Sequence, residues 1–319
     1  MRRLDRLITA ARLESENSGV VSSTAGITDE EFVQWANDAQ DHLQNKIDVE
    51  TYGPFAEETF LDVVANQEAY SMPARALLGD NISKLWYSDT GQTSDYYPLN
   101  RVGQEERNSS RFAYLPTKYL VRKNRILINP VPQKAITNGL RLDYARMLDR
   151  VDKRRAVVDA VTLDTANRTI TALSLDVSST DPIFIAADVT VDDFISIVDR
   201  NGVIKMQNIP ISAVNETTGD VTVVSGFVYE AGETIAVGDY VVSGQYATTH
   251  SRLPDSCEMY LIQYMVYRAL MRDSASDSQA RYDTILAPMI ESLLSGFAEL
   301  TNDVEHIPVL SNRFTRAFW

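Results

Sequence analysis

The side chains that could supply a catalytic nucleophile lie around Cys257, the only cysteine of this 319-residue chain. His250 and Asp255 are close to it in sequence, and nucleophilic catalysis combines a thiol, an imidazole and a carboxylate. Cys257 falls in the first turn of a predicted helix, where a small buried thiol is ordinary. No glycine-rich turn lies beside it to hold an oxyanion. We therefore predict a structural cysteine and no catalytic residues, and an enzyme ranks last among the function classes.

Four aspartates could bind calcium, because hard cations prefer several oxygen ligands. They are Asp188, Asp192, Asp193 and Asp199. Their spacing does not match the calcium-binding loop of helix–loop–helix proteins. The chain has 3 histidines, which leave little for a histidine-rich site. We therefore predict a solvated acidic loop, with no metal and no cofactor.

Two further groups invite a phosphate-binding interpretation. Three glycines are too far apart for a phosphate loop and are predicted to be hairpin turns: Gly226, Gly232 and Gly238. A basic cluster, the only internal one that we identify, lies at the start of a β-rich segment: Arg150, Lys153, Arg154 and Arg155. DNA or an acidic neighbour could contact this cluster, but we predict a solvated hinge.

The charge balance limits the partners of the chain. Acidic residues number 44 and basic residues 30, for a net charge of −14. Such a balance excludes a generally basic nucleic-acid coat and fits either a protein that does not adhere to DNA or simple solubility. Most of the charge lies in 156–249, which carries 13 acidic and 3 basic residues, a net of −10. No apolar run approaches the roughly 18 residues of a membrane span, so no membrane partner is expected.

The first strong helix signal is Thr28-Asp-Glu-Glu31. A threonine hydroxyl caps the free amides of a helix start, and a glutamate three residues on reaches back to the cap amide. Apolar residues recur at helical spacing over Phe32–Ile47, which predicts a helix of about 18 residues that ends before Tyr52. A short amphipathic helix is predicted before it, around Leu4–Ala11.

Helices return at the C-terminal end. Asp255 and Glu258 predict the cap of a helix that runs to about Arg272. This helix is apolar nearly all round, which is typical of the middle of a bundle or of a subunit contact. A second helix is predicted over Ser276–Leu300, with a kink at Pro288. The residues that we assign to subunit packing are Trp35, Met259, Ile262, Tyr264, Val266, Tyr267 and Leu270.

The segments between these helices have β patterns. Arg125–Pro132 and Leu140–Tyr144 are interpreted as partner strands, with Asn138-Gly139 in the loop that connects them. Residues 156–249 contain evenly spaced short strands and a hairpin signal at Arg200-Asn-Gly202. This spacing predicts a small barrel or sandwich.

Residues 306–319 lack a helical pattern, yet they end in aromatic side chains with two arginines between them. Free termini are usually polar and disordered, so we predict an arm that docks on a partner and does not fold back on its own helices. The docking residues are Ile307, Leu310, Arg313, Phe314, Arg316, Phe318 and Trp319.

Together these elements predict an α+β chain. Residues 1–50 and 250–305 form a helical bundle that is the oligomerisation core. A small β-sheet region occupies 51–150, an inserted all-β barrel or sandwich domain occupies 151–249, and an extended C-terminal arm occupies 306–319.

The order of these motifs resembles the head-to-tail connector, or adaptor, proteins of tailed bacteriophages. The resemblance covers residues 27–147 and 253–300, and it rests on order and spacing because no piece carries chemistry. The pieces are Ile27–Gln40, Thr59–Phe60, Asn66–Pro73, Lys84–Tyr87, Tyr97–Leu99, Ile126–Pro132, Leu140–Arg146 and Leu253–Asp255.

The resemblance implies a structural virion protein of the neck, between capsid and tail, that is assembled in the host cytoplasm. Adaptors of this kind form a ring below the portal, usually of twelve copies, and extend the DNA channel. The implied partners are the portal protein, the next tail or neck protein, and other copies of the chain. DNA would pass through without specific binding.

The chain departs from short members of the family between about 152 and 249, where many have only a brief loop. The inserted domain is expected to hang from strands near Asp149 and Gln245 and to project outwards or towards the next ring. An alternative function remains open: an oligomeric binding module whose inserted domain recognises a fibre protein or a glycan.

Overall fold

A computed structural model describes residues 2–17, 26–50, 55–77, 82–104, 115–180, 193–215, 217–273 and 275–297. These residues form a mixed α+β fold with four helices and several sheets, which confirms the predicted fold class at that level. They divide into two compact units. One contains residues up to 46 and residues 148–296, and the other contains residues 47–147 with Phe297. No helix in the described part of the chain is both long and apolar enough to cross a bilayer.

The two N-terminal helices follow the predicted pattern. Helix α1 spans Leu4–Asn17 and buries its apolar stripe. Helix α2 spans Asp29–Glu50. The backbone N–H of Glu31 donates to Thr28 Oγ1 at 3.2 Å, and that of Thr28 donates to Glu31 Oε2 at 2.8 Å. This reciprocal pair confirms the predicted cap of α2.

The second unit contains two four-stranded sheets, with strand orders β1-β8-β3-β4 and β2-β7-β6-β5. Their inner faces share one core that includes Leu85, Ile126 and Leu142. The strands are β1 (Ala56–Val63), β2 (Ala69–Ser71), β3 (Ile82–Tyr87), β4 (Tyr97–Pro98), β5 (Asn100–Arg101), β6 (Lys118–Arg122), β7 (Arg125–Asn129) and β8 (Ile136–Ala145).

The predicted pairing of β7 with β8 is wrong. Strand β7 pairs with β6 and β2, whereas β8 lies between β1 and β3 in the other sheet. Asn138 and Gly139, predicted to lie in a loop, are inside β8. Asn138 has φ 53° and the register of β1 against β8 shifts beside it, between Leu61 and Val63. Asn138 and Gly139 therefore form a bulge within β8. A bulge, like a turn, favours Asn and Gly.

The β-rich segment of the first unit is a six-stranded antiparallel sheet with the order β11-β10-β15-β12-β13-β14. The sheet curls until β11 meets the residues just before β14, through a bridge between Ser174 and Asp220. Among the described residues the pairing is not continuous all round the sheet, so the barrel or sandwich is not confirmed. Its strands and the two short strands that flank them are β9 (Arg150–Val151), β10 (Ala156–Asp164), β11 (Thr169–Leu175), β12 (Asp193–Val198), β13 (Ile204–Val214), β14 (Val221–Val223), β15 (Tyr240–Ser243) and β16 (Ala247–Thr248).

The two ends of this segment lie side by side. Ala247 pairs with Arg150 and Thr248 with Val151 in a parallel two-stranded sheet of β9 and β16. The predicted hairpin at Arg200–Gly202 joins β12 to β13, with Gly202 at φ 81°. Gly226, Gly232 and Gly238 also have positive φ, between 88° and 95°, in keeping with their predicted place in turns.

Helix α3 spans Glu258–Asp273 and follows a 3₁₀ turn over Asp255–Cys257. The predicted cap by Asp255 and Glu258 is wrong, because no side chain caps that turn. The Glu258 carboxylate accepts instead from the backbone N–H and the Nε of Arg2, at 3.0 and 2.5 Å. An arginine ahead of α1 thus replaces the expected local partner.

Helix α4 spans Ala275–Arg281 and continues through a π-helical turn, Tyr282–Leu286, into a helix over 287–297. Proline lacks an N–H and its ring crowds the carbonyl four residues earlier. The N–H of Ala287, just before Pro288, bonds to the carbonyl of Tyr282, five residues back. The disturbance predicted at Pro288 therefore takes the form of a widened turn.

Candidate subunit interface

A row of aromatic rings runs along one face of α3. Tyr260, Tyr264 and Tyr267 recur at helical spacing, and their ring centroids are 6.0 and 5.9 Å apart in sequence order. Tyr282 of the π turn extends the row at 5.6 Å from Tyr267. His42 of α2 lies 6.0 Å from Tyr264. We call these five residues the tyrosine row.

The tyrosine row is fully buried at Tyr260 and half-buried along the rest of its length. Tyr260 is fully buried, and its hydroxyl is hydrogen-bonded to His42 Nδ1 at 2.7 Å. Burial and the nearby Lys46 lower the pKa of His42, and burial raises the pKa of Tyr264. Tyr264 and Tyr267 are half-buried. Tyrosines with one face packed and one face open are the residues that protein interfaces favour.

The structure separates the residues that we assigned to subunit packing into two groups. Four of them are at most 7% exposed and contribute to the core of their own chain: Trp35, Ile262, Val266 and Leu270. Met259 is 50% exposed, and Tyr264 and Tyr267 are half-buried. Only the second group offers surface to another molecule. Sequence reasoning did not assign His42, Tyr260 or Tyr282, although the spacing of Tyr260, Tyr264 and Tyr267 was a usable signal.

The cluster at 150–155 is not a solvated hinge. Arg155 donates from Nη1 and Nη2 to the two carboxylate oxygens of Glu30, at 2.6 Å each. It also donates from Nη2 to Asp152 at 2.7 Å. Lys153 lies 3.2 Å from Glu30, and Arg150 lies 2.8 Å from Asp41. The acidic neighbour is therefore helix α2 of the same chain, and the predicted hinge is a fixed contact.

The residues that could have formed a catalytic or calcium site have structural roles in the part of the chain that the structure describes. Cys257 is buried, and burial raises the pKa of its thiol to about 11, which disfavours the nucleophilic thiolate. Asp199 accepts the N–H groups of Asn201 and Val203 within its hairpin. No group of three metal-ligating side chains occurs among the described residues. Asp188, Asp192 and the side chain of Asp193 lie outside the described part.

All seven residues of the predicted docking arm lie outside the described residues. They are Ile307, Leu310, Arg313, Phe314, Arg316, Phe318 and Trp319. Their assignment to the arm stays a prediction.

Comparison with known families gives one match over residues 2–187, to the family described as SU10 adaptor protein. This family contains phage head-to-tail adaptors, as the order of motifs indicated. No curated protein matches the chain. The match covers α1, α2, both sheets of the second unit and the first strands of the β-rich segment. Because it extends over more than half of the 319 residues, the chain belongs to the SU10 adaptor protein family of phage structural proteins.

Proposed function

We propose that this chain is the head-to-tail adaptor subunit that forms a ring below the portal, connects capsid to tail and extends the DNA channel. The observation that carries the proposal is the half-buried tyrosine row on α3 in a chain of an adaptor family. A ring needs a repeated contact between identical subunits, and open tyrosine faces are suited to that contact.

The other parts of the chain have separate roles in this proposal. The helices of the first unit form the ring as an oligomerisation core, in twelve copies. The arm over 306–319 binds the portal through its aromatic side chains. The β-rich segment, which carries a net charge of −10 over 156–249, projects outwards or towards the next neck protein. The chain as a whole has a net charge of −14, and a channel wall that is mostly negative lets DNA slide past because like charges repel.

Negative-stain electron microscopy of the chain mixed with its cognate portal protein tests the proposal. We expect a ring of added density at one end of the portal. A variant that ends at residue 306 lacks all seven docking residues of the arm and is expected to lose this density. The portal alone and the chain alone are the controls, since free adaptor can be monomeric if the ring forms only on a portal template.

The two outcomes have different meanings. A ring that persists without the arm would keep the adaptor function and remove the assigned role of residues 307–319. The absence of any complex with the full chain would contradict the adaptor function itself.

A further inference from the structure

A second basic cluster, distinct from the one at 150–155, lies at the tip of the β6–β7 hairpin. Its residues are Arg122, Lys123, Asn124 and Arg125, and all four are exposed. Arg122 and Arg125 are paired across the two strands, and Lys123 and Asn124 form the two-residue turn between them. We call these four residues the basic tip.

Where the structure describes the chain, the cations of the basic tip have no acidic partner. Within the described ranges, no carboxylate lies within 4.0 Å of a charged nitrogen of Arg122, Lys123 or Arg125. The cluster at 150–155 is the opposite case, since Arg150, Lys153 and Arg155 all have carboxylate partners on α2. In a chain of net charge −14, three neighbouring cations with no carboxylate partner among the described residues are a local reversal of sign.

The positive charge of the basic tip destabilises the hairpin locally. Like charges directly opposite each other across an antiparallel pair are destabilising, and Arg122 faces Arg125 in this way. Lys123 has φ 55°, a conformation that suits glycine or asparagine better than lysine. Unfavourable local features are found mainly where function requires them. The like-charge pair and the positive φ of Lys123 therefore favour a ligand-binding role for the tip.

The tip also borders a shallow concavity of about 680 Å³. The four residues of the tip line it together with Ala69, Ser71 and Leu127 of the adjoining strands β2 and β7. Arginine guanidinium groups donate in a planar fork that matches the oxygens of a phosphate, and the Ser71 hydroxyl can donate a further hydrogen bond. The geometry suits a phosphate group approached by several donors from one side.

We propose that the basic tip contacts the phosphate backbone of duplex DNA without reading its sequence. The choice of DNA as the polyanion rests on the proposed function, in which DNA passes through the adaptor. The Debye length is about 8 Å at physiological ionic strength, so the tip attracts a nearby phosphate while distant carboxylates are screened. Three weak contacts of this kind guide DNA without holding it.

The salt dependence of DNA binding tests the proposal. Each neutralised phosphate contributes about −0.9 to the slope of log affinity against log salt concentration. The triple variant Arg122→Gln, Lys123→Gln, Arg125→Gln removes three contacts, so its slope should be shallower than that of the wild type by about 2.7. Fluorescence anisotropy with a labelled duplex of arbitrary sequence, titrated at several salt concentrations, measures both slopes.

A matched control removes the same charge elsewhere. The variant Lys134→Gln, Arg168→Gln, Arg200→Gln neutralises three exposed cations that lie on three different turns. We expect it to keep the wild-type slope, because scattered cations do not act on one stretch of backbone. Equal losses in both triple variants would show a general charge effect and overturn the proposal.

Acetylation of lysines, read by mass spectrometry, gives a second measurement that detects weak binding. Duplex DNA should slow the acetylation of Lys123 several-fold and leave that of Lys134 unchanged, and added salt should remove the protection. Unchanged acetylation of Lys123 would overturn the proposal. Protection by the portal protein and none by DNA would also overturn it, and would identify an acidic protein surface as the partner.

Failure of this inference is separable from failure of the adaptor function. The triple variant of the basic tip should still form a ring on the portal in negative stain. If the wild-type chain forms a ring but DNA does not protect Lys123, DNA contact by the basic tip is rejected and the adaptor function stands. If the wild-type chain forms no ring on the portal, the adaptor function is rejected, whatever the tip binds.

Discussion

Arg155 links the β-rich segment to helix α2 within the first unit. Its side chain is 8% exposed and that of Asp152 is 5% exposed, so both charges are removed from water. Burial opposes the charge of Arg155, but hydrogen bonds to Glu30 and Asp152 outweigh it and raise the pKa of the guanidinium. A buried ion cluster of this kind is costly to break, since removing one partner leaves an uncompensated charge.

Replacing Arg155 by alanine should therefore destabilise the chain strongly. The variant leaves Asp152 buried without its cation, which costs about 3–5 kcal/mol. Arg150→Ala is the matched control, because the Arg150–Asp41 pair is 51% and 42% exposed and is expected to contribute at most about 1 kcal/mol. Urea unfolding followed by circular dichroism measures both. Equal losses in the two variants would show that burial of the cluster is unimportant.

The buried end of the tyrosine row should make stability depend on pH. The pKa of His42 is lowered below its ordinary value of 6.5. The unfolded chain therefore takes up a proton at His42 near pH 6.5, whereas the folded chain resists it. This contribution to stability is complete above pH 6.5 and is lost as the pH falls through the lower, folded-state pKa.

We expect His42→Gln to remove that part of the pH dependence. The measurement is the difference in unfolding free energy between wild type and variant at pH 7.5 and at pH 5.5, which cancels the contribution of other groups such as His250. The stability advantage of the wild type should shrink at the lower pH. A difference that stays constant would exclude His42 as a pH-sensitive group.

At the scale of elements, the helices were predictable and the strand pairing was not. Local sequence signals predict helix α2: the cap at Thr28 and the recurrence of apolar residues at the spacing that helix geometry fixes. The partner of a strand depends on residues distant in sequence. Apolar and polar residues alternate in both β7 and β8, and this alternation does not show to which sheet each strand belongs. The same limit applies to charge. Nothing in the sequence separates Arg155 from Arg125, yet the fold places carboxylates against Arg155, and no described carboxylate lies against Arg125.

The bulge in β8 gives a prediction for Gly139. A Cβ at this position would lie 2.6 Å from Cγ2 of Val63 and 3.0 Å from Cβ of Ile136, so Gly139→Ala forces two core side chains apart. Overpacking of this kind costs about 1–3 kcal/mol. Gly103→Ala in the same unit is the control, because no described residue lies within 4 Å of its Cβ.

Thermal unfolding compares the two glycine variants. We expect Gly139→Ala to lower the melting temperature and Gly103→Ala to leave it unchanged or raise it slightly, since alanine restricts the unfolded chain. A stable Gly139→Ala variant would mean that the bulge can relax.

For the whole molecule, the family and its order of elements could be recognised from sequence, whereas the surface that forms the ring could not. An apolar helix pattern predicts burial, but it does not show whether the same chain or another subunit buries the helix. Ile262, Val266 and Leu270 are buried by their own chain, whereas Tyr264 and Tyr267 are half-buried and Met259 is 50% exposed. Assembly is therefore expected to depend on fewer residues than the sequence pattern indicated.

The double variant Tyr264→Ala, Tyr267→Ala tests this expectation on the assembled complex. Both rings are half-buried, so their loss should leave the chain folded while it removes the anchors of the subunit contact. We expect no ring on the portal in negative stain, with a far-ultraviolet circular dichroism spectrum like that of the wild type. The matched variant Tyr264→Phe, Tyr267→Phe keeps the rings and should still assemble. A complete ring formed by the alanine variant would move the subunit contact away from α3 and leave Met259 and the N-terminal helices as the next surfaces to test.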